Sequence, residues 1–89
     1  MTIKIIDYDL VNEESSYDDI IDEIKELGVY IQVAKSSWLV KSNLSCSEIR
    51  DKLKAVVNKE DRIFVAKLSG ESAWSNPIDG SSEVKKFFN

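Results

Sequence analysis

The stretch Thr2 to Leu10, TIKIIDYDL, limits the fold more than any other part of this chain. Its β-branched residues favour a strand, and strand faces alternate with period two. Lys4, Ile6, Tyr8 and Leu10 share one face, which is apolar beyond Lys4 and suited to lie under helices. Ile3, Ile5, Asp7 and Asp9 share the other, which starts apolar and ends in two carboxylates. Two readings of those carboxylates stand. Asp is poor in strands and good in turns, so they can mark a strand exit into a polar loop. They can also form a metal or catalytic position, because sites in α/β proteins often lie beyond the carboxyl ends of strands. On the residues alone the polar exit comes first, since function is argued from a site and not from a fold.

The rest of the chain supplies partners for this strand. Ser16 is a plausible N-cap, and Tyr17, Ile20, Ile21, Ile24 and Leu27 follow helical spacing up to Gly28, read as a left-handed C-cap. Asp18, Asp22, Glu23 and Glu26 then point outward. Val29–Ala34 and Ser37–Lys41 are strand-like runs separated by Lys35-Ser36; they form a hairpin or one bent strand. Ser45 and Glu48 make a capping box for a second helix over Ser47 to Val57, with Cys46, Ile49, Leu53, Val56 and Val57 inward. Asp61–Leu68 is a further strand that is apolar on both faces. Glu71–Trp74 reads as a short extra strand, and Ser82 caps a last helical turn carrying Val84, Phe87 and Phe88.

The order strand, helix, strand, strand, helix, strand predicts an α+β, ferredoxin-like βαββαβ domain over residues 1–89. It has a four-stranded antiparallel sheet, two helices on one face and a short C-terminal extra strand or helix. The open face is expected to carry Ile3, Ile5, Ile63 and Val65, which are too apolar to stay wet. That predicts a homodimer through this face or its edge.

Composition narrows the chemistry. The chain has no histidine, so Ser-His and Cys-His nucleophilic machinery is excluded within one chain and zinc is disfavoured. A metal would be a hard cation on oxygen ligands. The single cysteine, Cys46, cannot make an internal disulfide, which fits a cytoplasmic location, and no apolar run spans a bilayer. The net charge of −4 is uneven. Residues 1–28 hold nine acids against two bases, and residues 29–89 hold ten bases against seven acids. A dominant basic footprint for nucleic acid is absent.

Four stretches carry a resemblance: IIDYDL, SSWLVKS, the S-x-x-EIRDKL helix start, and DRIFVAKLSGESAW. Together they resemble the small CRISPR-associated Cas-two-like proteins, and more closely a branch of short SinR-like bacterial and phage proteins. The similarity spans most of the chain. It implies a ferredoxin-like homodimer. In that family an Asp ending the first strand faces its twin across the two-fold axis and can bind magnesium for phosphodiester hydrolysis. Many members are instead non-catalytic structural subunits of an integrase that captures foreign DNA. The resemblance implies Asp9 as metal and catalytic residue with Mg2+, and Ser36 or Ser37 near the family's serine, with Ser37 preferred. The acidic composition departs from the family's basic duplex-binding surface.

Three functions follow as expectations. One is a non-catalytic homodimer that binds nucleic acid or a defence-system partner, and this is preferred because the site has few groups for chemistry. One is a magnesium-dependent endonuclease using paired Asp9 carboxylates. The last is an acidic phage-type inhibitor module, in which the first helix meets a basic partner.

Overall fold

The computed structural model describes residues 2–89. The elements in order are β1 (Thr2–Asp9), α1 (Tyr17–Lys25), β2 (Val29–Ala34), β3 (Ser37–Ser42), α2 (Cys46–Lys54), β4 (Arg62–Lys67) and α3 (Ser81–Phe88). The four strands form one antiparallel sheet in the order β2-β3-β1-β4. It is an α+β architecture with three helices among the described residues. No helix among the described residues is long and apolar enough to cross a membrane.

Local chemistry sets the element ends. Ser16 caps α1 by accepting from the Asp19 N–H, and Ser45 and Glu48 close a reciprocal capping box on α2. Gly28 does not act as the left-handed cap expected from its position. The cap is Glu26, in a right-handed conformation, and Gly28 leads into β2. A Cβ at Gly28 would lie 2.2 Å from the Lys41 carbonyl oxygen, so close backbone approach is what requires glycine there. The Lys35-Ser36 segment makes a hairpin turn, with a register shift between Gln32 and Ala34. The bent-strand alternative is thereby removed.

Ile6, Tyr8, Trp38 and Val40 on the sheet pack against Ile20, Ile24, Ile49 and Leu53 of α1 and α2. Ile63 and Val65 belong to this layer, not to the opposite face where the sequence placed them. Register explains the correction. Cross-strand partners share a face, and Val65 pairs with Ile6 while Ile63 pairs with Tyr8. Lys4 is also on this side and only 5% exposed; its Nζ donates to the Ser42 carbonyl at 2.7 Å and to Thr2 Oγ1. Buried polar groups need such partners.

The opposite face is covered in part by the chain itself. Val84 and Phe87 of α3 pack on Ile31 and Leu39, with Ile3, Ile5, Val33, Leu68 and Phe88 around them. The C-terminal turn is thus a full helix, capped at Gly80 rather than Ser82. Its aromatic pair docks on its own sheet, and Trp74 stacks on Phe88 with ring centroids 5.8 Å apart. Glu71–Trp74 is not a strand. Cys46 opens α2 half-buried, rather than fully inward.

Candidate functional site at the end of β1

α3 leaves the carboxyl end of β1 uncovered. The β1 alternation sends Asp7 and Asp9 to the α3 side of the sheet, past the last contact with that helix. Asp7 lies between Ser37 of β3 and Phe64 of β4, and Asp9 lies opposite Arg62. Antiparallel pairing thus brings together residues 30 and more positions apart in sequence.

Each carboxylate already has a partner. Ser37 Oγ donates to Asp7 Oδ1 at 2.9 Å. Arg62 Nη1 donates to Asp9 Oδ2 at 2.8 Å, in a pair whose side chains are 71% and 63% exposed. Asp7, Asp9, Arg62 and Phe64 line a shallow depression of about 200 Å³. Phe64 is 64% exposed, the largest such value among the exposed large apolar residues. Ser36 takes no side-chain part here; its carbonyl accepts from the Tyr8 N–H.

Mg2+ demands near-octahedral oxygen coordination, commonly with one or two carboxylates and several waters. Asp7 and Asp9 are hard-oxygen donors on one face, but a guanidinium occupies the cation position beside Asp9. No cluster of three or more His, Cys, Asp or Glu side chains suited to a metal occurs among the described residues. A single chain therefore offers an incomplete cradle, and Arg62 competes for its best ligand.

A third carboxylate, next to this site, is built differently. Asp61 Oδ1 accepts from the Val11 and Asn12 N–H groups at 2.8 and 3.0 Å, while Oδ2 accepts from the Asn58 N–H at 3.0 Å and from Ser15 Oγ. Desolvation pushes this carboxyl up, but the bonds from Ser15, Asn12, Asn58 and Val11 outweigh it and bring it down to about 2. Asp61 thereby fastens the loop after β1 to the start of β4. On the other face, burial raises the Tyr8 phenol, opposed by the hydrogen bond from Trp38 Nε1 at 3.3 Å.

Basic residues collect elsewhere. Arg50, Lys54 and Lys59 line a groove with Val57, Asn58, Ile63 and the acidic Asp61 between α2 and β4, and Arg50 Nε already pairs with Asp51 at 3.1 Å. The exposed acids of α1 (Asp18, Asp19, Asp22, Glu26) lie on the neighbouring helix. The helix layer is therefore charge-divided. Arg62, Phe64 and Asp61 escaped the sequence reading as site residues. Only the β1–β4 register, which sequence spacing does not fix, reveals them.

No family model matches the chain, and no solved structure matches it at a significant level.

Proposed function

We propose that this chain is a ferredoxin-like, Cas-two-like homodimeric subunit that binds nucleic acid or a defence-system partner in the cytoplasm, without catalysis of its own. The 2-3-1-4 strand order and the βαββαβ succession support the ferredoxin-like assignment. The carrying observation is the Asp9–Arg62 pair. A carboxylate that already pairs with a guanidinium is a weak start for metal-assisted hydrolysis, which needs a cation to polarise phosphate and activate water. The groove of Arg50, Lys54 and Lys59 gives a place for a phosphate backbone, whose binding is electrostatic and salt-dependent.

The alternative, a magnesium-dependent endonuclease, draws on Asp7, Asp9 and Ser37 meeting on one face. In that reading Asp9 holds the cation and Ser37 positions Asp7. The acidic-inhibitor reading draws on the exposed acids of α1, and charge reversal at Asp18, Asp22, Glu23 and Glu26 should abolish its partnership.

One experiment separates the first two. Labelled duplex DNA and single-stranded RNA are incubated with wild type and Asp9→Asn, with and without magnesium. Binding by both proteins that weakens with salt, with no cleavage by either, is expected. Magnesium-dependent cleavage lost in Asp9→Asn would replace the non-catalytic reading with the endonuclease.

A further inference from the structure

The two edges of the sheet are finished differently. β2 is closed by the chain's own loop: Ile78 N–H donates to the Val33 carbonyl, Asp79 N–H to the Gln32 carbonyl, and Gln32 N–H to Asp79 Oδ2. β4 has β1 on one side and, among the described residues, no strand on the other. An edge strand with unpaired backbone groups is a template for another strand.

The direction of those groups follows from the ladder. Leu68 N–H donates to the Ile3 carbonyl, and Leu68 continues the β1–β4 register. In an antiparallel pair, alternate residues turn their N–H and C=O to the same neighbour. Leu68, Ala66, Phe64 and Arg62 therefore bond to β1. Ile63, Val65 and Lys67 direct their N–H and C=O outward, with Val65 at the centre.

We propose that a second copy of this chain pairs antiparallel along this edge of β4, with the two-fold axis on Val65. The inference rests on the homodimer reading alone and departs from the arrangement that the family resemblance implies, in which the Asp residues that end the first strands face each other. In a symmetric antiparallel pair the axis must fall on a residue, because directly opposed residues share a face. An axis on Val65 pairs Val65 with its twin and Ile63 with Lys67 of the other copy, which satisfies every outward group. An axis on Phe64 would oppose Lys67 to Asp61, whose N–H already donates to the Asn58 carbonyl. An axis on Ile63 would leave Lys67 without an opposite strand residue.

Side chains agree with this register. Phe64 is set opposite the small Ala66 of the other copy, covering part of the most exposed aromatic ring. Arg62 is set opposite Leu68, so no like charges are directly opposed. The unfavourable term is α2, which packs over β4 and brings Arg50, Lys52 and Lys54 of both copies to one side. That repulsion is screened beyond about 8 Å at physiological salt.

The pairing also bears on the two aspartates. Asp9 stands at the level of Arg62, three residues from the axis, and one strand further in. With about 4.8 Å between strands and 3.3 Å per residue, the two Asp9 carboxylates end up roughly 25 Å apart. They cannot share one cation in this dimer.

The test uses the full chain in a Cys46→Ser background at about 0.15 M ionic strength, where exposed charges are well screened. Phe64→Cys and Ala66→Cys are made separately. Phe64 and Ala66 of the other copy form a non-hydrogen-bonded pair with Cα atoms about 4.5 Å apart, inside disulfide range. Sedimentation should give twice the monomer mass, and mild oxidation of the mixed variants should give a crosslinked dimer that neither gives alone. Val65→Pro should yield a folded monomer by circular dichroism, since its N–H serves only the partner. Ready crosslinking of Phe64→Cys or Asp9→Cys alone, with dimer mass retained, overturns the edge register and leaves the homodimer reading standing. Monomer mass at every concentration removes both.

Discussion

The side of the sheet away from α1 and α2 has two halves, and they are finished by different means. Under α3, Ile31 and Leu39 meet Val84 and Phe87, and all four are buried. Beyond α3, Phe64 stands in water among Asp7, Asp9 and Arg62. The same strands contribute to both halves. What differs is that β1 changes from isoleucine to aspartate along one face, so the chain closes its apolar half and leaves the charged half accessible. In a domain of this size the core is marginal, and covering the apolar half internally adds to it.

The largest way to break that contrast is Phe87→Ala. Phe87 is 7% exposed, and Lys41 Nζ lies 4.7 Å from its ring centroid. Truncating a buried Phe costs about 3–5 kcal/mol. For a domain this small, that lowers the melting temperature by roughly 12–40 °C. Thermal unfolding measures it. A shift of only a degree or two would mean that α3 does not cover the sheet in solution.

A second test concerns the rim of the open half, where Asp61 fastens residues 11–15 to β4. Its folded pKa, about 2, lies below the ordinary aspartate value of 3.8. A depressed carboxylate contributes stability that is complete above its unfolded pKa and is lost as pH falls through the folded one. The contribution should therefore fade between about pH 4 and pH 2. Amide hydrogen exchange across that range should show Val11 and Asn12 losing protection before Ile31 and Leu39. Asp61→Asn should open the same loop at neutral pH. Equal protection in the variant would remove Asp61 as the fastener.

Much of this arrangement is legible in the residues, and the exceptions share a cause. The helices are announced by Ser16 and the Ser45–Glu48 box, and β1 by its alternation, because capping and periodicity are local. The face assignment of Ile63 and Val65 failed because DRIFVAKL is apolar on both faces and only pairing with Ile6 and Tyr8 decides between them. Lys4 stood as the one polar residue on the helix-facing side, and the Ser42 carbonyl that receives its Nζ lies 38 positions away. The cover over Ile3 and Ile5 was expected from a second subunit, since the Phe87–Phe88 pair gave no direction of docking. Asp9 was visible as a candidate, while its Arg62 partner required the β1–β4 register.

The smallest expected effect separates a structural ion pair from a reserved one. Asp9 and Arg62 are largely exposed, and exposed pairs contribute about 0–1 kcal/mol. Asp9→Asn should then change the unfolding free energy by about 0.5 kcal/mol or less, in contrast to the loss expected at Phe87. That near-neutrality matters for function. A pair with little role in folding can exchange its partner, so a phosphate could draw Arg62 away at small cost to the monomer. If nucleic acid docks beside this pair, Asp9→Asn should strengthen binding by freeing Arg62 and removing a negative charge, and the salt dependence should steepen because one more cation meets the backbone. Unchanged affinity and slope would place the docking surface at the Arg50–Lys54–Lys59 groove and leave the open half of the sheet to a protein partner.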